Sequence, residues 1–134
     1  MKRLVLLFLM AVTLAACAAS TTQAVNLTAR DIKYDETTLE VKAGLPVKLI
    51  FNNVGTLEHD FSIMDIPVES ASESSEPVGH DMGTMTDAPA LHTAAPIGAS
   101  STLEFTPTKP GVYEFFCSVS GHKDAGMVGT LIVK

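Results

Sequence analysis

Apolar and polar residues alternate over short stretches of this chain, and turn-forming residues separate the stretches. Seven of them favour extended backbone: Val25–Tyr34, Thr38–Lys42, Pro46–Val54, His59–Ile66, Ser101–Thr106, Gly111–Cys117 and Met127–Lys134. Gly44-Leu45-Pro46, Asn52-Asn53-Val54-Gly55 and Lys109-Pro110-Gly111 punctuate them. No stretch beyond the first 16 residues carries a helical period, and there is no internal repeat. Strands at this spacing predict an all-β fold, a Greek-key antiparallel β-sandwich of seven to eight strands.

Two segments break the pattern. At the start, Lys2 and Arg3 precede an apolar run, Leu4–Ala16, interrupted only by Thr13. A charged start followed by a run too short for the roughly 20 residues of a membrane span has the layout of a secretory signal. The run ends in Leu14-Ala15-Ala16-Cys17, which resembles the lipobox of bacterial lipoproteins. That resemblance implies a signal peptide over residues 1–16, lipidation of Cys17 and a tether over 17–24. The domain over 25–134 would then be anchored by lipid to the outer, periplasmic side of the cytoplasmic membrane. Cleavage after Ala19 or Ala24 would instead discard Cys17. The second segment, Pro67–Ala90, is rich in Ser, Glu, Gly and Pro, and no Lys or Arg occurs between Lys48 and Lys109. It reads as a mobile insertion at 67–90 between strands.

Composition narrows the function classes. Without the leader, 118 of the 134 residues remain, enough for one domain with a core. Lys2 and Arg3 leave with the leader, so seven basic residues face fifteen acidic ones, a net charge of −8. Such a surface repels phosphate backbones and argues against nucleic-acid binding. Two cysteines in different regions do not make a disulfide scaffold.

The chemistry concentrates near the C-terminus. Cys117, His122 and Met127 follow one another at five-residue intervals in a connection between two predicted strands, and a second imidazole, His59, opens an earlier strand. Two His, one Cys and a weak axial Met are the donor set of a blue copper site. Thiolate suits Cu(I) and bonds strongly to Cu(II), imidazole serves both, and a long thioether contact traps neither. Strand parity supports the grouping. His59 falls in line with Phe61 and Ile63, Cys117 with Tyr113 and Phe115, and Met127 with Leu131 and Val133, so the three strand-borne donors share the apolar face. Asp60, Ser62 and Phe116 fall on the opposite face. For Phe116 that means either packing on neighbouring surface or a second docking contact. Zinc is disfavoured because Met is a poor zinc ligand, and no orienting Asn or Asp suggests a Cys–His nucleophile.

The stretch Thr106-Pro-Thr-Lys-Pro-Gly-Val-Tyr-Glu-Phe-Phe-Cys117, then Ser120-Gly121-His122 and Gly126-Met127-Val-Gly-Thr-Leu-Ile-Val133, resembles the cupredoxins. The Cys-x4-His-x4-Met spacing is most similar to auracyanin and rusticyanin-like members. The resemblance spans about Val25–Lys134 without the insertion. It implies one type 1 copper ion on His59, Cys117, His122 and Met127, and a one-electron carrier rather than an enzyme. It also implies a monomer whose redox partner, such as a c-type cytochrome or an oxidase subunit, docks near His122. Two departures stand out. Asp60 replaces the usual Asn that ties the two ligand loops together, and Ser120 stands where relatives often have Pro, which implies a less rigid loop. The alternative is a module that stores or delivers copper, using soft donors at His80, Met82, Met85 and His92 as an auxiliary site. The plainer reading of those four is a solvated loop that coordinates nothing.

Overall fold

The structure, a computed structural model, describes residues 21–74 and 87–134. The leader, Cys17, His80, Met82 and Met85 lie outside the described residues. Ten strands occur among those described: β1 (Gln23–Arg30), β2 (Lys33–Tyr34), β3 (Thr38–Val41), β4 (Val47–Asn53), β5 (His59–Ile63), β6 (Val68–Ser74), β7 (Leu91–Ala95), β8 (Ser100–Pro107), β9 (Gly111–Phe116) and β10 (Val128–Val133). They form two five-stranded sheets, β2-β1-β4-β8-β6 and β3-β10-β9-β5-β7. The all-β sandwich read from the sequence is the fold. No helix among the described residues is long and apolar enough to cross a membrane.

Period-two alternation builds the core. Val47, Leu49, Phe51 and Asn53 of β4 turn inward, as do Leu103 and Phe105 of β8 and Leu131 and Val133 of β10. Phe51, Phe61 and Phe115 are the largest fully buried side chains, each worth roughly 1.5–3 kcal/mol relative to exposure. The Tyr34 ring meets Phe115 edge-on at 5.2 Å and Phe51 at 6.4 Å, and Phe61 lies 5.3 Å from Phe115. This aromatic layer backs the end of the sandwich where His59 and Cys117 emerge.

Four expectations need correction. Pairing is not antiparallel throughout: β1 runs parallel to β4 and β3 parallel to β10. The chain doubles back through β2, crosses to the other sheet as β3 and returns, so β4 re-enters in the direction of β1. Strand β1 begins at Gln23, inside the stretch read as tether. The segment read as an insertion from residue 67 opens instead with strand β6, which among the described residues pairs with β8 alone. An edge strand exposed on one side needs no continuous apolar face, so its Ser and Glu residues read as loop. Finally, β7 pairs with β5 through five residues, Leu91 to Ala95, although its sequence is too short and mixed to announce a strand.

Candidate metal centre

Each donor stands at an element boundary. His59 is the first residue of β5, Cys117 follows the last residue of β9, Met127 precedes β10, and His122 belongs to the connection between β9 and β10. The first three are fully buried, and His122 is 7% exposed. Parity holds as predicted, because Cys117 continues the inward row of Phe115, Met127 that of Leu131, and His59 that of Phe61. The Cys117 Sγ lies 3.4 Å from His122 Nδ1 and 3.9 Å from His59 Nδ1. His59, Cys117 and His122 offer ligand atoms that all lie within 4.8 Å of one another.

The connection carrying His122 is wound on its own backbone. The His122 amide donates to the Val119 carbonyl at 3.0 Å, Ala125 to Gly121 at 3.0 Å and Gly126 to Lys123 at 2.9 Å. Met127 donates to the His122 carbonyl at 3.0 Å, and Cys117 donates to the Met127 carbonyl at 3.1 Å. Three donors are thereby joined through their main chains. Gly121 and Gly126 take φ of 81° and 94°, the left-handed region open to glycine at little cost. These bonds supply the order that Ser120, in place of Pro, does not.

The His59 loop is held from beneath. The buried Asn53 donates through Nδ2 to the Leu57 carbonyl at 2.8 Å and the Ala95 carbonyl at 2.9 Å, and its Oδ1 accepts from the Gly55 amide at 3.0 Å. A Cβ on Gly55 would lie 2.6 Å from the Asp31 amide nitrogen and 3.1 Å from His59 Nε2, so only glycine fits. His59 Nε2 is buried without a hydrogen-bond partner.

Asp60 performs the tie expected of Asn. Its fully buried carboxylate accepts the Ser118 amide at 2.9 and 3.1 Å and the Ser118 hydroxyl at 2.7 Å, joining the residue after one donor to the residue after the other. The buried Tyr34 hydroxyl donates to the Asp60 carbonyl at 2.6 Å. Sequence reasoning missed Tyr34 and Ser118 as supports of the site. The only signal for Tyr34 was a polar atom in an apolar row, and Ser118, on the face of Asp60 opposite the core, gave none.

Burial sets the proton chemistry. It pushes the Cys117 thiol from its ordinary 9.0 up to about 12, and the Asp60 charge adds to the effect. His59 is lowered from 6.5, first by burial and then by the neighbouring His122. At neutral pH the copper-free cluster is therefore a protonated thiol beside a neutral His59 imidazole, and binding a cation releases the thiol proton. A thiol and two imidazoles gathered in a dry pocket, with a buried thioether next in the chain, fit a soft or borderline metal such as copper.

The remaining candidates fall elsewhere. His92 stands half-buried on β7 with Nδ1 3.0 Å from the Ser62 hydroxyl, outside the donor cluster and on a strand rather than in the solvated loop read from the sequence. Phe116 faces away from the core as expected but is only 5% exposed, packed beneath Lys123, whose Nζ lies 4.0 Å from the ring centre. Packing, rather than a second docking contact, describes it. Lys123 also pairs with Glu114 at 2.7 Å. Ile32, Val54, Leu57 and Ile97 are exposed on three turns laced together beside His59 by bonds from Val54 to Ala29, Asn53 to Ala99 and Thr56 to Asp31.

Comparison with known proteins agrees with this geometry. The family described as copper binding proteins, plastocyanin/azurin family, matches residues 21–134. A relative named copper-resistant cuproprotein CopI from Rubrivivax gelatinosus is 33% identical over 103 residues, 77% of this chain and 61% of the relative. The chain thus spans about three fifths of that relative's length. A protein of the same name from Pseudomonas aeruginosa is 30% identical over 144 residues, 87% of this chain and 79% of the relative. The dithionite-reduced auracyanin of Roseiflexus castenholzii superposes with a TM-score of 0.63 at 22% identity, over 84% of this chain and 97% of that one, which speaks for the fold.

Proposed function

The chain belongs to the plastocyanin/azurin family of copper-binding proteins, and from that premise we propose that it is a blue copper protein carrying single electrons between redox partners. One observation carries the reading: a thiol and two imidazoles, all buried, converge within 4.8 Å at the end of a rigid sandwich. When bound, one copper ion supplies a couple between two valences at that point. The protein's part is to hold donors acceptable to both. Cys117 and Met127 are fixed at strand boundaries, the wound connection fixes His122, and the aromatic layer of Tyr34, Phe61 and Phe115 keeps water out. Little then has to move when the charge changes.

His122 is the natural point of contact with a partner, because it is the only one of the four donors with exposed surface. The apolar turns bearing Ile32, Val54, Leu57 and Ile97 supply a surface for docking, and the acidic balance, a net charge of −6 for the full chain, favours a basic partner such as a c-type cytochrome or oxidase subunit. Lipidation of Cys17 would hold the domain at the outer face of the cytoplasmic membrane. Cys17→Ala should then move the protein from the membrane fraction to the soluble one, and unchanged membrane retention would contradict the anchor.

A second reading, copper tolerance through storage or delivery, is favoured by the name the two CopI relatives carry. The two readings part experimentally. Copper-loaded full chain, cycled repeatedly between reductant and oxidant beside a Cu(I) chelator, should keep its copper and its reversible one-electron response. Loss of copper to the chelator faster than electrons exchange would favour delivery and defeat the carrier.

A further inference from the structure

Behind the donor cluster, on the outer face of the second sheet, a chain of hydrogen bonds extends the Asp60 tie as far as β7. Ser118 donates its amide and hydroxyl to the Asp60 carboxylate, the Ser62 hydroxyl donates to Asp60 Oδ1 at 3.0 Å, and His92 Nδ1 lies 3.0 Å from the same hydroxyl. Asp60 and Ser62 are fully buried. Register explains the row: Ser62 is paired with His92 of β7 on one side and with Phe116 of β9 on the other.

Directions along the chain follow from the donor inventory. A carboxylate only accepts, so the single hydrogen of Ser62 is committed to Asp60, and the hydroxyl oxygen is left to accept. His92 must therefore donate from Nδ1, which both the Nδ1-protonated neutral ring and the charged ring can do. The sequence of donation is His92 to Ser62 to Asp60, and the final acceptor faces the amide that follows Cys117. Hydrogen bonds in series polarise one another, and the effect is largest where the surroundings are dry.

We infer that His92 and Ser62 are positioning residues that set the reduction potential of the copper site through Asp60. The inference rests on the blue-copper reading. Negative charge on Asp60, one residue from His59 and bonded to the neighbour of Cys117, favours the more highly charged oxidised site. Each hydrogen bond donated to Asp60 disperses that charge and so favours the reduced site. The edge strand β7, remote in sequence from all four donors, thus contributes to the electronics of the centre through one side chain. Removing the relay should lower the potential.

Four copper-loaded full-length variants test this: His92→Ala, His92→Gln, Ser62→Ala, and His92→Ala in an Asp60→Asn background, which should fold because relatives usually carry Asn there. At a fixed redox poise, His92→Ala and Ser62→Ala should each raise the Cu(II)/Cu(I) ratio about threefold, as expected for loss of one link in a buried network. His92→Gln, whose amide can still donate, should recover most of the shift. In the Asp60→Asn background the His92→Ala effect should vanish, because the charge it disperses is gone. The copper-free protein gives a separate readout. With less competition for Asp60, the Ser118 amide proton resonance should move downfield in His92→Ala. Unchanged ratios, or a His92→Ala shift that persists in the Asp60→Asn background, would overturn the relay. If parent protein shows no reversible couple, the electron-carrier reading fails, while the Ser118 resonance still decides whether His92 reaches Asp60. Should His92→Ala fail to fold, Ser62→Ala carries the same test.

Discussion

Cys117 and His59 make opposite demands on protons, and the pH dependence of the copper-free protein should show both. Burial raises the Cys117 thiol to about 12, so between its ordinary 9.0 and that value the folded chain holds a proton that the unfolded chain has released. Stability from this group is complete below pH 9 and falls as pH rises beyond it. Tyr34, raised well above 10.0 by burial, works in the same direction. His59 is lowered from 6.5, so the unfolded chain binds the proton first on acidification; its contribution is complete above pH 6.5 and is lost as pH falls through the lowered value. Melting temperatures of copper-free protein should therefore hold a plateau between about pH 6.5 and 9 and decline on both sides. Cys117→Ser should reduce the alkaline slope. An alkaline slope untouched by that substitution would show that the thiol is not buried as described.

At the level of elements, the donors were legible and, Asp60 apart, their supports were not. Period-two parity placed His59, Cys117 and Met127 on one face because each continues a row of apolar neighbours, and the connection between β9 and β10 was legible from the extended stretches on either side of it. Asp60 and Ser62 were also assigned to the correct face, but that face of β5 is not open to water: all five residues of the strand are buried. Parity tells which way a side chain points and not what covers it. Strands β6 and β7 were missed for a related reason. An edge strand made of Ser and Glu carries no apolar stripe, and Leu91–Ala95 owes its place to tertiary pairing with β5 rather than to propensity.

Turn geometry is the other element-scale control on the site. Gly55→Ala would press a methyl group against the Asp31 amide at 2.6 Å and His59 Nε2 at 3.1 Å. The main chain at Asp31 cannot yield easily, because Asp31 Oδ1 is tied to the Thr56 hydroxyl at 3.0 Å. The strain should reach His59, lowering copper affinity by about tenfold or more and melting temperature by several degrees, in line with roughly 1–3 kcal/mol for overpacking. Isothermal titration with copper and a thermal melt check both. An affinity equal to the parent's would mean that the loop accommodates the methyl group without moving the imidazole.

Across the whole molecule, two sheets with different tasks meet at one end. The first, with its edge strand β6, supplies Phe51 and Asn53 to the floor and turn beneath His59; the second carries all four donors and the outer-face relay. Because the donors come from two separated stretches of chain, His59 and the 117–127 connection, the centre exists only in the folded state, and its affinity for metal is also stability against unfolding. The visible absorption spectrum of copper-loaded full chain, beside that of Cys117→Ser loaded in the same way, tests the centre most directly. The parent should show an intense blue thiolate-to-copper band that bleaches on reduction and returns on oxidation, and the variant should lack it. A colourless parent complex, or a blue band that survives the loss of the Cys117 sulfur, would contradict the assignment.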